Sequence, residues 1–145
     1  ADEVTPELAL TKGLGGALLR ERVVANEADR FVILVTPEKL VEKLGTRTPI
    51  PIEVVPFAAA TVARHLTKLG GKPVVRSKPG AGGFQYQTDN MNLILDTDFG
   101  PIDDPETLDA AVRKIPGVVA TGLFLGMADV VLVGDPGGVR ELVTG

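Results

Sequence analysis

The sequence has no cysteine, no tryptophan, one histidine and one tyrosine in 145 residues. Without cysteine there is neither a disulfide scaffold nor a thiolate metal site. The single histidine, His65, argues against a histidine-based zinc site and excludes a Ser-His or Cys-His pair built elsewhere in the chain. Aromatic residues are scarce, with 5 Phe and 1 Tyr, and 15 Lys+Arg against 19 Asp+Glu leave a net charge of −4. Nucleic-acid binding wants a basic face and stacking rings, so that class is set aside. No apolar run approaches the ~18 residues of a membrane span.

What is present is ordinary for a globular chain: 44% hydrophobic and 23% charged residues. With 17 Gly and 11 Pro the chain is turn-rich, yet it stays below the roughly 25–30% that marks disorder. Its length suffices for one good core or two small ones. The first residue, Ala1, is not methionine, which raises the expectation of processing or truncation.

Periodicity and punctuation give the organisation. Residues 8–11 are a short apolar run, and Lys12-Gly13-Leu14-Gly15-Gly16 is a glycine turn. Ala17 to Ala28 reads as a helix, and Phe31 to Val35 as a buried strand. Thr36-Pro37-Glu38 resembles a capped helix start, predicting a short helix to Leu44. Further on, strands are expected at 52–55, 73–76, 85–88, 92–98 and 118–124. Helices are expected at 57–69 and at 104–114, the latter opened by Asp104-Pro105-Glu106. The order β-α-β-β-α-β is the split, ferredoxin-like arrangement. Asp129 to Val133 reads as a buried strand and 139–143 as a final helical turn. The expectation is an α/β protein: a partial Rossmann-like α/β unit (residues 1–48 and 125–145) interrupted by a ferredoxin-like α+β domain (49–124). Only two strands of the α/β unit are evident, too few for a self-sufficient sheet.

Several residues carry candidate chemistry. The glycine turn is not a phosphate loop of the Walker type, because Lys12 precedes the glycines. Leu18 stands where a dinucleotide fingerprint needs a small residue. What remains is a lysine followed by backbone N–H groups that an anion can approach at a helix start; a tight strand-to-helix connection that binds nothing fits equally. On a helical wheel, Leu14, Ala17, Leu18, Val24, Ala25 and Ala28 surround Glu21. A carboxylate on such a face is costly to desolvate, and burial favours its neutral form unless a cation or hydrogen bonds offset that. This environment suits a general base for a carbon acid, although a buried structural glutamate paired with arginine or a backbone amide is the more ordinary reading. Asp2 and Glu3 read as solvated terminal acids, His65 as a surface residue, and Asp96, Asp98, Asp103 and Asp104 as turn acids without calcium-loop spacing.

Taken together, Ala1-Asp2-Glu3 and Lys12-Gly13-Leu14-Gly15-Gly16-Ala17-Leu18-Leu19-Arg20-Glu21 resemble the active-site stretch of the type A ribose-5-phosphate isomerases. Further matches follow in the same order: Lys39 in its Thr-Pro-Glu-Lys turn, Pro49-Ile50-Pro51-Ile52-Glu53-Val54, Leu69-Gly70-Gly71, Thr88-Asp89-Asn90, Ile115-Pro116-Gly117 and Ala128-Asp129-Val130. The resemblance covers essentially the whole chain. It implies interconversion of ribose 5-phosphate and ribulose 5-phosphate through an enediolate, in the pentose phosphate pathway and the cytoplasm, with no metal or organic cofactor. It implies that Glu21 moves the proton between C2 and C1, and that Asp2 handles ring opening and hydroxyl protons. Lys12 and the backbone of Gly13, Leu14 and Gly15 would bind substrate and stabilise the oxyanion, with Ala1 and Lys39 as further contacts. Two departures stand out. Met91 occupies a position where the family usually has glycine. Family members also carry a preceding stretch with further strands and a phosphate-binding loop, so the chain is expected to be a C-terminal portion: truncated, processed or designed. Expected partners are a small sugar phosphate and a second copy of the chain or a complementing N-terminal segment, with no nucleic acid and no membrane. The alternatives are a catalytically silent folding or dimerisation module and, on the glycine turn alone, a nucleotide-binding regulatory domain.

Overall fold

The computed structural model describes residues 1–80 and 82–144; Ala81, within the loop expected at 77–83, and Gly145 lie outside them. In chain order the elements are β1 (Glu3–Val4), β2 (Leu10–Thr11), α1 (Leu18–Glu27), β3 (Val32–Val35), β4 (Ile50–Val54), α2 (Ala59–Lys68), β5 (Lys72–Val75), β6 (Leu93–Asp98), α3 (Pro105–Arg113), β7 (Val118–Thr121), β8 (Leu123–Phe124), β9 (Val130–Asp135) and β10 (Gly138–Leu142). Among the described residues, no helix is long and apolar enough to cross a membrane.

The largest sheet has the order β5-β6-β4-β7 and is antiparallel throughout. With α2 joining β4 to β5 and α3 joining β6 to β7, this is the split β-α-β arrangement that the periodicity predicted. Strand alternation explains its two faces. Ile50, Ile52, Val54, Leu93 and Leu95 form a core with Val62 and Leu66 of α2 and Val112 of α3. The helices are punctuated as the sequence suggests. Asp104 caps α3 by accepting the Thr107 N–H at 3.0 Å, and Gly70, at φ +90°, ends α2. On the opposite face Ile94 and Ala120 meet Leu18 of α1.

A second sheet, β10-β9-β3, pairs β3 and β9 in parallel. Its inner residues Ile33, Val35, Val131 and Val133 pack with Ala25. Helix α1 therefore spans both cores, its N-terminal end against the large sheet and its C-terminal half against the small one. The short strands β1-β2-β8 make a third, antiparallel sheet between them.

Four expectations are corrected. The helix at 37–44 is only a 3-10 turn at Pro37–Lys39, because the Val41 N–H donates to the carbonyl of Val4 at 2.9 Å and the backbone beyond the turn is drawn to β1. The end of the chain is a strand, not a helical turn: β10 returns along β9 after a two-residue loop at Pro136-Gly137. So short a segment cannot fix its own period, and the small sheet has three strands where two were evident. The strand at 118–124 is two strands of different sheets. They part at Gly122, whose N–H donates to Pro51 O (2.7 Å) while its O accepts from Lys12 N–H (2.9 Å). No strand forms at 85–88; a single bridge joins Ser77 to Gln85.

Candidate active site

Two neighbouring strand ends open the site. In β1 and β2, Glu3 faces Thr11, and the same register carried one step outward sets Asp2 opposite Lys12. The Asp2 N–H donates to Thr11 O at 2.7 Å. Because side chains alternate along a strand, Asp2 and Glu3 take opposite faces. Glu3 turns inward and is fully buried, accepting from the N–H groups of Gly45 and Arg47, each at 2.6 Å, and of Thr48 at 3.2 Å. It is thus a structural anchor for the 45–48 segment, not a solvated acid. Asp2 turns outward and accepts from the Leu14 N–H at 3.2 Å.

After Lys12 the chain makes a tight turn closed by the Gly16 N–H to Gly13 O bond of 2.9 Å, then enters α1. Gly13 and Gly16 both hold positive φ, at 104° and 90°. A Cβ at Gly13 would strike Leu18, and one at Gly16 would enter the ring of Tyr86. The turn is therefore fitted to α1 on one side and to the β5–β6 connection, through Tyr86, on the other. It carries Lys12 back to the first turn of α1, where its Nζ lies 3.1 Å from Glu21 Oε1. The lysine side chain is 14% exposed and the glutamate 35%.

The surroundings of Glu21 differ from the helical wheel. Leu18 and Ala25 are buried as expected, but Val24 is 70% exposed and Leu14 41%. Glu21 is thus half-buried at the rim of an apolar stripe, and Lys12 supplies the offsetting cation. An ammonium beside a carboxylate can do two things for a carbonyl substrate: the carboxylate takes a proton from carbon, and the cation stabilises the negative oxygen that results.

Ala1 and Lys39 line a cavity of about 460 Å³ with Leu34, Val35 and Thr36, and Glu21 does not reach it.

Three groups that pattern alone did not single out hold this arrangement. Arg22, next to Glu21, donates from Nη2 to Thr121 O (2.8 Å) and Leu123 O (2.6 Å) and lies 4.2 Å from the Phe124 ring centroid. Burial, then Arg113, draws its guanidinium down to about 10, still charged at neutral pH. Gly122 receives Lys12 so closely that a Cβ there would lie 2.5 Å from Lys12 O. Arg76, just past β5, donates from Nη1 to Gly13 O (3.2 Å) and Leu14 O (2.9 Å) and grips Asp96 through Nε and Nη2 at 2.8 and 2.7 Å. The pairing of Val74 with Asp96 sets Arg76 diagonally across from the acid, a register that the sequence alone does not reveal. Asp96 is therefore not a free turn acid. Asp98 accepts from Gly100 N–H, Asp103 pairs with Lys43, and Asp104 caps α3. His65 is exposed on α2.

The family model for ribose 5-phosphate isomerase A (phosphoriboisomerase A) matches residues 1–138. The ribose-5-phosphate isomerase A of Roseiflexus castenholzii is 53% identical over 142 residues, and that of Thermomicrobium roseum 51% over 143; each match covers 98% of this chain and 60% of the relative. Among solved structures, ribose 5-phosphate isomerase A from Methanocaldococcus jannaschii superposes with a TM-score of 0.92 at 43% identity, over 99% of this chain and 63% of that one. A D-ribose-5-phosphate isomerase in complex with phospho-erythronic acid gives 0.93 at 40%, over 99% and 62%. The chain spans about 60% of the length of these curated relatives, and it belongs to the ribose 5-phosphate isomerase A family.

Proposed function

We propose that this chain carries the proton-transfer centre of an aldose–ketose isomerase that interconverts ribose 5-phosphate and ribulose 5-phosphate. In the open-chain aldose the hydrogen on C2 lies α to the C1 carbonyl. The Glu21 carboxylate removes it as a proton, the C1 oxygen takes up the negative charge, and an enediolate forms. Return of a proton from the Glu21 carboxyl to C1, in part after exchange with solvent, with transfer of a hydroxyl proton from O2 to O1, gives the ketose. Asp2 is placed to carry the hydroxyl proton and to assist ring opening. Lys12 and the free backbone amide of the glycine turn stabilise the developing oxyanion, and Lys39 contacts the substrate beyond Ala1. No step needs a metal or an organic cofactor. The observation that carries this reading is the 3.1 Å approach of Lys12 Nζ to Glu21 Oε1 beside the Asp2–Leu14 bond.

Support for the substrate comes from the family and from the relative solved with phospho-erythronic acid, a four-carbon phosphosugar acid. The reading includes the division into residues 1–48 with 125–145, which hold the site, and residues 49–124, the antiparallel α+β unit, which would supply contacts to a second copy. Incubation with ribose 5-phosphate in deuterated water tests the central claim. Ribulose 5-phosphate and solvent deuterium on carbon should both appear, and Glu21→Gln should suppress both by roughly 10²–10⁴-fold. An undiminished rate in Glu21→Gln would overturn the assignment.

A further inference from the structure

The turn that joins Lys12 to α1 has two possible forms. Residues 13–16 make a four-residue turn closed by the Gly16 N–H to Gly13 O bond. Type I and type II turns differ mainly in which way the central peptide, here Leu14–Gly15, is flipped, and type II requires positive φ at the third residue. That residue is Gly15, which pays no steric penalty for positive φ. Yet neither Leu14 nor Gly15 is among the residues with positive φ, so the flipped form is the one the structure does not adopt. Nothing in the turn itself makes that choice.

The choosing contact comes from the large sheet. Arg76 Nη1 donates to Leu14 O at 2.9 Å and to Gly13 O at 3.2 Å. A trans peptide holds its C=O and N–H antiparallel. Two carbonyls drawn toward one guanidinium therefore send the following N–H groups away from it. The Leu14 N–H meets Asp2. The Gly15 N–H has no hydrogen-bond partner among the described residues and is left as a donor for a ligand. Arg76 is itself held: Asp96 takes its other two donor positions, both side chains are largely buried (14% and 21% exposed), and the Tyr86 ring lies 5.7 Å away. Tyr86 in turn packs against Gly16.

We propose that Arg76 is a positioning residue for the isomerisation site: its bond to the Leu14 carbonyl locks the Leu14–Gly15 peptide so that the Gly15 N–H is presented to the enediolate oxygen. This rests on the function proposed above. It gives the α+β unit a part in the chemistry of a site whose acid, base and lysine all lie outside it.

The test uses the full chain with Arg76→Lys and Asp96→Asn. Lysine is a point donor and cannot span Asp96 and two carbonyls; Asp96→Asn loosens the guanidinium while leaving it in place. In nuclear magnetic resonance spectra of the free protein, the Gly15 amide and Leu14 carbonyl signals should shift or broaden in both variants while those of α3 stay in place. Adding Gly15→Ala to Arg76→Lys should bring the Leu14 carbonyl signal back, since alanine resists positive φ and its Cβ meets nothing within 4 Å. In turnover of ribose 5-phosphate, kcat and kcat/KM should fall together by roughly a hundredfold, with KM little changed. Unmoved Gly15 and Leu14 signals, no restoration by Gly15→Ala, or a loss confined to KM would overturn the proposal. If the unsubstituted chain converts no ribose 5-phosphate, the functional reading fails, and the spectra still decide whether Arg76 sets the turn.

Discussion

Lys12 and Glu21 meet at 3.1 Å because a glycine turn and the first turn of α1 fold the chain back between them. Lys12 is largely buried, but Glu21 is about a third exposed, so solvent screens the pair and its contribution to stability is modest. Under the proposed function its value is positional, since one partner would accept a proton while the other would face the charge that the transfer creates. Removing the cation should therefore damage turnover far more than stability. Lys12→Met is expected to lower kcat for ribose 5-phosphate by roughly 10²–10³-fold, the scale of losing one oxyanion-stabilising donor. Its urea midpoint should stay near that of the unsubstituted chain. Equal losses in both would make Lys12 a structural residue.

Gly16 is expected to be intolerant. Its φ of 90° and the Tyr86 ring against it leave no room for a Cβ. Gly16→Ala should destabilise by about 2 kcal/mol or more, from left-handed strain of about 1–2 kcal/mol plus the displaced ring. Chemical denaturation followed by circular dichroism reads the cost, and a change under about 0.5 kcal/mol would contradict the packing described.

Arg22→Met tests the anchor of α1. The substitution leaves the carbonyls of Thr121 and Leu123 without this donor and removes the stack on Phe124, at an expected cost of about 2 kcal/mol. The pH dependence follows from the sign of the shift. The folded value of about 10 lies below the ordinary arginine range. Between the two the unfolded chain holds the proton that the folded chain has released, so this group's contribution to stability rises with pH only there. Between pH 6 and 8 both states are charged, and the cost of Arg22→Met should be flat. A cost that varies across that window would show that Arg22 titrates there.

Met91 marks a position at which glycine is expected to be better. It is 69% exposed and sits at φ 63°, in the turn where Thr88 N–H donates to Asn92 O at 2.9 Å. Left-handed strain of about 1–2 kcal/mol outweighs the entropy that glycine loses on folding, about 0.5–1 kcal/mol. Met91→Gly should thus stabilise by about 0.5–1 kcal/mol, visible as a raised melting temperature. A lowered one would mean that the Met91 side chain makes a contact worth more than the strain.

How much of this was legible in advance varied with the range of the interaction. The α2 and α3 helices, with Val62 and Leu66 one turn apart and Asp104 at a cap, depend on neighbours in sequence, and their pattern is sufficient. The segments at 37–44 and 139–143 are each too short to fix their period; Val4, which decides the first, lies far along the chain, and the second is decided by its hairpin pairing with the adjacent β9. The Glu21 wheel overstated the burial of that carboxylate, since a wheel counts apolar neighbours without knowing which of them another element covers.

The sequence by itself determined helices α1, α2 and α3 and most of the strands, because residue type and local spacing carry that information; Glu21, Asp2 and Lys12 entered as candidates for base, acid and oxyanion contact through the family resemblance. Only the tertiary structure decided that Glu3 anchors a loop while Asp2 faces the site, that Gly122 hands the chain from one sheet to another beneath Lys12, and that Arg76 reaches across to the glycine turn. Those outcomes depend on strand register and on hydrogen bonds between residues tens of positions apart. Such contacts form only when the sheets close, and no local pattern encodes them.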